Sequence, residues 1–365
     1  MKSQVPFSER ESAWREPLEL LKGKWPAFVF GAGVGAQLPV FRFSSVIRQE
    51  FEPSLIYLME NGYHTVQSAE LEAILRGDKP PDPKAVMLCF DHAWASLWTI
   101  AAPLLERYNF TAVTYAIPGR IHDSKALRPV WGQPEHDPDV DRTENLFCSW
   151  KELKALSDGG RVEVQSNGWS HGKIFSHDKF ECLVMPETRM HPLRWPMVSD
   201  PGEELKLLSR SRIFHPLLPL RSRLSDALRH DVDPLVVDAI RNDPDAAPYL
   251  FQKYFLQVET EEDRVSAIRF ELTRSKELLE HHLGKEIHQL CFPWGVGGRL
   301  AAGMLSDLGY RTAFADRQAS FLAVKAGQNP LKLGRLPCEY IRALPGKPRK
   351  LYFRIHQANA QSRFS

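Results

Sequence analysis

The sequence predicts an α/β fold with a mainly parallel sheet, because strand-like and helix-like segments alternate along most of the 365-residue chain. Three apolar runs indicate buried strands, and each ends in a polar turn: VMLCF before Asp91, RVEVQ before Ser166 and QLCF before Pro293. The alternation stops between residues 176 and 259, where prolines and arginines are frequent and helical patches such as DPLVVDAIRN occur. We therefore expect an α/β unit interrupted by a helical insert or lid.

Capping residues mark the ends of several predicted helices. Asn61 is expected to end the helix in FEPSLIYLME, and Ser68 and Gly77 are expected to cap and end the next one. Ser149 with Glu152 forms the pattern of a capping box. These signals give the helices between the predicted strands.

The composition is that of a globular protein, with 43% hydrophobic and 25% charged residues. A formal net charge of +2 argues against a nucleic-acid or membrane-surface partner. The five cysteines form no Cys-x-x-Cys pair, which indicates a reducing compartment. The N-terminal segment lacks the apolar core of a secretory signal, and no apolar run is long enough to span a bilayer. We therefore expect a cytoplasmic protein without a membrane span.

Side chains capable of chemistry follow the predicted strands. Asp91 and His92 follow the first strand, and Asn167 and His171 lie in the turn after the second. Because parallel sheets and barrels gather the carboxyl ends of their strands at one edge, we expect these residues to lie together. Asp91 is suited to act as a general base for water, and the two histidines to bind a metal or transfer protons.

Aromatic residues at the same strand ends suit a carbohydrate ligand. Trp169 follows the second strand, and Pro293 and Trp294 follow the third, so we expect them to wall a groove that stacks on sugar rings. Each feature alone has a structural explanation, such as a helix cap at Asp91, a satisfied histidine or a buried Pro-Trp-Gly turn. Their common position at strand ends favours a functional site.

A second acidic pattern has a simpler explanation. Asp231-Val232-Asp233 has the spacing of a metal-binding Asp-x-Asp motif, which would suit a glycosyltransferase. It stands directly before Pro234 at a predicted helix start, where an acidic residue usually acts as a cap. No nucleotide site accompanies it, so the glycosyltransferase hypothesis is the remote one.

The strand ends also resemble the polysaccharide deacetylase family, known as the NodB-homology or carbohydrate esterase family 4 type. AVMLCFDHAWASLWTIAAPLLERYNFTAVTYAI resembles the family's Thr-Phe-Asp-Asp-Gly motif with the helix and strand after it. FCSWKELKALSDGGRVEVQSNGWSH matches the helix and strand that lead into the His-x-x-x-His motif, and LCFPWG resembles Pro-Tyr/Trp-Gly. The resemblance covers most of residues 37–175 and 260–345. It implies a distorted (β/α) barrel of the NodB-homology type with a helical insert.

The resemblance divides the chain into four parts. They are an N-terminal segment (1–36), the first part of the barrel (37–175), the helical insert or lid (176–259), and the rest of the barrel with the C-terminal tail (260–365). Within the insert, four residues are candidate contacts to an anionic part of a substrate, and a solvated surface is the alternative explanation: His191, Arg194, Trp195 and Arg221.

The resemblance assigns roles to the strand-end residues. It implies that Asp91 is the catalytic base and that His92, Asn167 and His171 occupy the metal-ligand positions, where the family has Asp, His and His. A His-Asn-His set is neutral and offers one amide oxygen, a poor ligand for zinc. We therefore expect a divalent, zinc-like ion to be held weakly or not at all. Ser44 stands where the family's entry strand often has a histidine.

The implied function is hydrolysis of the N-acyl (acetamido) group of a sugar in a glycan or glycan precursor. Asp91 would act as base and His171 as its catalytic partner, with Asn167 as a ligand or oxyanion donor. The arginine often found before Pro-Tyr-Gly is absent, with Cys291 near its place, and His356 is the remaining candidate for the acid. The alternative is a catalytically silent protein of the same fold that binds carbohydrate.

Overall fold

The computed structural model describes residues 25–137, 146–186, 188, 192–198, 206–207, 213–253, 257–319, 322–351 and 355. Its strands, in chain order, are β1 (Leu38–Phe43), β2 (His64–Thr65), β3 (Ala85–His92), β4 (Ala112–Ala116), β5 (Val162–Ser166), β6 (Lys173–Phe175), β7 (Cys182–Leu183), β8 (Met197–Val198), β9 (Lys206–Leu207), β10 (Pro216–Leu217), β11 (Leu220–Ser222), β12 (His230–Asp231), β13 (Gln257–Val258), β14 (Gln289–Cys291), β15 (Thr312–Phe314), β16 (Ala323–Val324) and β17 (Leu336–Pro337). Its α-helices are α1 (Arg48–Glu60), α2 (Ser68–Arg76), α3 (Ala102–Arg107), α4 (Trp150–Asp158), α5 (Pro234–Asn242), α6 (Ala247–Lys253), α7 (Glu261–Leu283) and α8 (Arg299–Met304).

The central sheet curls into a barrel. Its order is β15-β14-β5-β4-β3-β1-β16; the pairings from β15 to β1 are parallel, and β16 is antiparallel to β1. β17 pairs in parallel with the other side of β1, and Leu333, just before it, bridges in parallel to Phe314 of β15. The same short segment therefore contacts both edges of the sheet. This confirms the distorted (β/α) barrel that the sequence predicted.

The strands are apolar because both of their faces are covered. In β3, Leu88 and Phe90 pack into the larger hydrophobic core, while Met87 and Cys89 pack into a smaller one on the opposite face. A strand buried on both faces has a continuous apolar sequence, which explains the run VMLCF. Asp91 is its first charged side chain and marks the point where the strand reaches the rim of the barrel.

Helix caps follow the sequence closely. Ser149 caps α4 in a capping box with Glu152, as predicted. Asp233 Oδ1 accepts the backbone N–H of Leu235 at 2.8 Å, so the second aspartate of the Asp-x-Asp pattern caps α5. The predicted cap at Ser68 is wrong by one residue, because α2 already begins there and the preceding glutamine occupies the cap position.

The insert differs from the prediction in its first part. Residues 234–253 contain α5 and α6, which agrees with a helical insert. The described residues before them instead form short antiparallel pairs, β6 with β11 and β7 with β10, around a small core that includes Phe175, Trp195 and Leu218. A mostly helical structure is wrong there, because frequent prolines remove the N–H donors that a helix needs. The boundaries of the four parts stay predictions.

Within the described part of the chain, no helix is both long and apolar enough to cross a bilayer.

Candidate active site

The carboxyl ends of β3, β5 and β14 meet at one rim of the barrel. His171, after β5, has its ring centroid 4.7 Å from that of His92 at the end of β3 and 4.9 Å from that of Trp294 after β14. Cys291 Sγ, at the end of β14, lies 3.7 Å from Asp91 Oδ1. The predicted convergence of the three strand ends is confirmed, while the chemical roles of these residues stay predictions.

The backbone of this rim is strained. His92, Ala93, His171 and Trp294 have positive φ angles of 72°, 54°, 54° and 63°. Residues with a Cβ rarely adopt this conformation, which costs on the order of 1–3 kcal/mol each and occurs preferentially at functional sites. The surrounding fold therefore holds these side chains in place against a local preference.

Asp91 is paired with an arginine that the sequence analysis did not identify. Arg335 Nη1 and Nη2 lie 2.5 and 3.2 Å from the two carboxylate oxygens of Asp91. The same guanidinium contacts both oxygens of Asp316, at 3.1 Å from Nε and 2.9 Å from Nη2. Arg335 is only 2% exposed, so it joins two carboxylates inside the barrel.

This pairing keeps Asp91 ionised. Burial by itself raises the pKa of Asp91, but the charge and the hydrogen bonds of the Arg335 guanidinium, with smaller effects of His92 and Arg42, outweigh burial and leave the pKa below its ordinary value. Burial by itself lowers the pKa of Arg335, and its two carboxylate neighbours raise that pKa well above the usual range. Burial also raises the pKa of the Cys291 thiol well above its usual range, so the thiol stays protonated. Asp91 is therefore available as a proton acceptor at neutral pH.

His171 is a neutral imidazole at pH 7. It is 2% exposed, and burial lowers its pKa well below the ordinary value, with His92 and Arg120 acting in the same direction. Its Nδ1 has no hydrogen-bond partner among the described residues. A neutral ring with an open nitrogen can take up and return a proton during a reaction.

Three buried polar atoms at the rim lack a partner within the described part of the chain: Asn167 Oδ1, His171 Nδ1 and Trp294 Nε1. Asn167 Nδ2 donates a hydrogen bond to the carbonyl of Cys291 at 2.7 Å. The atom of this side chain that lacks a partner is therefore the amide oxygen Oδ1, which is an acceptor. An open acceptor suits an N–H group or a cation rather than an oxyanion. Since buried polar atoms are normally paired, the set indicates that a ligand or ordered water completes the site.

The predicted metal positions do not fit a three-ligand zinc-like site. His92 Nδ1 accepts the indole N–H of Trp94 at 3.0 Å, which places the proton of the neutral ring on Nε2. Asn167 and His171 offer neutral atoms, and Asp91 is engaged by its arginine. The described residues contain no group of three or more His, Cys, Asp or Glu that could hold a metal. The chemistry of this rim is therefore derived from the protein's own side chains.

Trp169 does not line the groove as predicted. It is 7% exposed, and its ring packs edge-on against Phe270 of α7, with 5.1 Å between centroids. Its carbonyl accepts the N–H of Gly119 at 2.9 Å. Trp169 lies in the loop after β5, as expected from its position after a strand. Its side chain is nevertheless buried, because α7 covers the outer side of the barrel there.

Trp294 is the aromatic residue that belongs to the rim. Its ring is partly exposed above the buried Pro293, and Lys173 Nζ lies 4.0 Å from its centroid. Burial, followed by the charges of Arg317 and Arg221, lowers the pKa of Lys173 to about 8. Trp294 therefore stands between His171 and Lys173.

A buried carboxylate holds the loop that carries His171. Glu271 of α7 accepts the backbone N–H of Ser170 at 3.0 Å and also its hydroxyl proton. On the other side, Arg120 Nε donates to the carbonyl of Ser170 at 3.0 Å. The loop is thus fixed directly beside His171, which explains how its positive φ is maintained.

The insert packs over the rim. Leu193 is buried in a cluster with Trp94 and Phe147, and Trp294 packs against that cluster. Trp195 is buried in the insert's own core, so its predicted contact with substrate is wrong. Arg194 is partly buried beside these two residues. Two predicted candidates lie outside the described residues: His191 and His356.

The sequence contained signals for the two residues that were missed. Asp316 follows the strand TAF, so the strand-end rule that identified Asp91 applies to it too. Arg335 stands in the apolar run LKLGRLP beside β17, and a charged side chain inside a short buried strand requires a partner. The absence of an arginine before Pro293 was a further signal that another arginine was needed.

Comparisons with known proteins agree with this architecture. Residues 78–184 match the family model described as polysaccharide deacetylase. Over 171 residues, 46% of this chain, the sequence is 31% identical to the poly-beta-1,6-N-acetyl-D-glucosamine N-deacetylase of Escherichia coli K12, of which 24% is covered.

Two solved structures share the fold. A de-N-acetylase from Aggregatibacter actinomycetemcomitans aligns with a TM-score of 0.52 at 17% identity, covering 82% of this chain and 94% of the other. The BpsB deacetylase domain from Bordetella bronchiseptica gives a TM-score of 0.52 at 14% identity, covering 84% and 97%. At these identities the alignments show the fold alone.

The chain spans about a quarter of the length of the E. coli relative. The matched segment nevertheless includes Asp91, Asn167 and His171. The resemblance predicted from the sequence is confirmed, because residues 78–184 match the polysaccharide deacetylase family model.

Proposed function

We propose that this protein hydrolyses the N-acyl (acetamido) group of a sugar in a glycan or glycan precursor. Three features of one rim carry the proposal. Asp91 is an ionised carboxylate, and two nearby groups lack a hydrogen-bond partner among the described residues: the N–H donor of Trp294 and the amide oxygen of Asn167. An acetamide carries one carbonyl acceptor and one N–H donor, so it is complementary to these two atoms. The name of the E. coli relative makes an N-acetylhexosamine polymer the first substrate to test.

In the proposed reaction, water attacks the acyl carbon while Asp91 takes one of its protons. The two arginine contacts and the Cys291 thiol, whose Sγ is 3.7 Å from Oδ1, occupy three of the carboxylate's four lone-pair positions and leave one for that proton. Breaking the carbon–nitrogen bond then releases acetate and an amine that must receive a proton. His171, which is neutral and has an open nitrogen, is the group placed to pass it on.

Three earlier expectations remain part of this proposal. A divalent ion is expected to be weak or absent, and metal analysis of the purified protein tests that. A cytoplasmic location also stays a prediction. If no acetate is released, the alternative is a protein of the same fold that binds carbohydrate without catalytic activity.

The deciding experiment measures acetate release from N-acetylated hexosamine oligomers, with added divalent metal and with chelator. Asp91→Asn should lower the rate on the order of 10²–10⁴-fold, because an amide cannot take the water's proton. Asp78→Asn makes the same chemical change at an exposed residue beyond α2 and should leave the rate unchanged. Acetate release that survives Asp91→Asn would refute Asp91 as the base, and no release from any substrate would refute the proposed function.

A further inference from the structure

A cavity of about 430 Å³ opens in the insert, between the strand pairs of its first part and helix α5. Its volume lies in the range of about 300–1,000 Å³ that is typical of sites for small molecules. The strand pairs contribute two side chains with rings, and β12 and α5 contribute charged and aliphatic ones. We call this space the insert cavity, and six of its lining residues carry the argument: Phe175, His215, Asp231, Val237, Asp238 and Arg241.

The buried floor of the insert cavity is a stacked pair of rings. Those of Phe175 and His215 are nearly parallel, with 6.2 Å between their centroids. His215 is 4% exposed, and its Nδ1–H donates to the carbonyl of Pro216 at 2.8 Å. Directly before it, Phe214 has a φ of 65°, a conformation that costs on the order of 1–3 kcal/mol and occurs preferentially at binding sites. The fold therefore holds His215 at the floor against a local preference.

The opening of the insert cavity carries charges that are paired with each other. On the exposed side of α5, Asp238 Oδ1 lies 3.4 Å from Arg241 Nη1. Asp231 Oδ2 accepts the Nε–H of Arg229 at 3.0 Å. These four charges sum to zero. Since a carboxylate can accept about four hydrogen bonds and a guanidinium can donate five, the single contact between Asp238 and Arg241 leaves capacity for further polar groups.

This combination of floor and opening selects a class of ligand. A sugar ring has apolar C–H faces, which pack against Phe175 and Val237, and hydroxyl groups, which bond to the carboxylate of Asp238 and the guanidinium of Arg241. An ion would lose its hydration without meeting an opposite net charge. A purely apolar ligand would cover the paired charges without forming hydrogen bonds to them. The insert cavity therefore suits a neutral sugar.

Strand β6 connects the insert cavity to the candidate active site. It begins at Lys173, whose Nζ lies 4.0 Å from the ring centroid of Trp294, and it ends at Phe175. Because side chains alternate along a strand, those of Lys173 and Phe175 lie on the same face, and two strand residues span about 6.6 Å. A glycan that passes Trp294 therefore reaches the insert cavity within a few sugar units.

We propose that the insert cavity is a carbohydrate subsite, which holds a neutral sugar unit of the same glycan chain whose acetamido group reacts at the rim. The inference rests on the proposed function for the identity of that chain, but its residues are separate from Asp91. It also gives a role to Asp231, the first aspartate of the Asp-x-Asp pattern, since only Asp233 caps α5. The protein therefore selects a polymer over a single sugar.

Calorimetric titration with a hexamer of β-1,6-linked N-acetylglucosamine, the sugar in the name of the E. coli relative, tests the proposal. Asp238→Ala with Arg241→Ala removes the exposed charges of the opening, and alanine preserves α5 because it favours helices. This variant should bind the hexamer on the order of ten-fold more weakly, because hydrogen bonds to two charged groups are lost. Every protein titrated carries Asp91→Asn, so that the hexamer is not hydrolysed during the measurement.

A matched control and the binding stoichiometry make the test specific. Lys154→Ala with Asp158→Ala removes a similarly exposed ion pair from α4 and should leave the affinity for the hexamer unchanged. A hexamer that spans Trp294 and the insert cavity binds once per protein, whereas an independent sugar site would give two hexamers per protein. A fully deacetylated hexamer, which carries amines, should bind no more tightly than the acetylated one.

Four results would overturn the proposal: no binding of the hexamer, unchanged affinity in Asp238→Ala with Arg241→Ala, two hexamers per protein, or tighter binding of the deacetylated hexamer. Failure of the proposed function has a different signature. In that case hexamer binding depends on Asp238 and Arg241, but the protein with its native Asp91 never releases acetate. Conversely, acetate release with an unaltered affinity in the double variant leaves the deacetylase and removes the subsite.

Discussion

The two sides of the candidate site differ in how their polar groups are satisfied. On one side, Arg335 joins Asp91 and Asp316, and Arg42 Nε lies 3.9 Å from Asp316 Oδ2, so two positive charges balance two negative ones. On the other side, Asn167, His171 and Trp294 each keep a buried polar atom without a partner among the described residues. The comparison separates scaffold from binding surface. A balanced network holds its own geometry, whereas open polar atoms have a reason to exist only when a ligand occupies them.

The balanced side should fail first when it is disrupted. Arg335→Gln leaves the buried carboxylate of Asp91 without its arginine and should lower the free energy of unfolding by about 3–5 kcal/mol. Urea denaturation measures this loss. Arg76→Gln removes an exposed ion pair and should cost about 0–1 kcal/mol, so equal losses in the two variants would contradict the distinction.

The side of the site with unpaired polar atoms should bind a metal once a carboxylate is introduced at the family's ligand position. Restoring the family's ligand types with His92→Asp and Asn167→His should raise affinity for zinc on the order of 10²-fold or more, because a carboxylate adds direct attraction for the cation. Calorimetric zinc titration of the two proteins measures the gain. Unchanged affinity would show that the rim geometry, rather than the ligand types, prevents binding.

Two tryptophans give a matched test of open and satisfied polar groups. Trp94 donates its indole N–H to Ser44 and His92, whereas the N–H of Trp294 is open. Trp94→Phe should therefore cost about 1 kcal/mol of stability through its lost hydrogen bonds, beyond any loss of packing. Trp294→Phe should leave stability nearly unchanged but weaken binding of an N-acetyl sugar about ten-fold. Thermal unfolding measures the stability of both variants, and calorimetry measures sugar binding. A loss of stability in Trp294→Phe with unchanged binding would show that its N–H group stabilises the fold instead.

The smallest expected effect is a pH dependence at His171. Burial lowers its folded-state pKa well below 6.5, so between that pKa and 6.5 the unfolded state binds more protons. The contribution of His171 to the free energy of unfolding is therefore fully present above pH 6.5. It decreases as the pH falls below 6.5, by about 1 kcal/mol between pH 6.5 and 5.5. Urea denaturation at pH 7.5 and 5.5 measures this decrease in the free energy of unfolding. In His171→Asn the part of the decrease that comes from His171 should be absent. His64→Asn, at an exposed position, is the control, and an unaltered pH dependence in His171→Asn would contradict the buried neutral ring.

By itself, the sequence determined the barrel strands, the positions of most helix caps and the convergence of Asp91, His171 and Trp294. These features follow from local signals, since apolar runs predict buried strands and parallel strands share one rim. Only the tertiary structure decided the partners of these residues. Arg335 lies 244 positions from Asp91 along the chain, and Phe270, which buries Trp169, belongs to a helix that folds back from beyond the insert. No local pattern encodes such pairings, because they depend on which distant elements the closed barrel brings together.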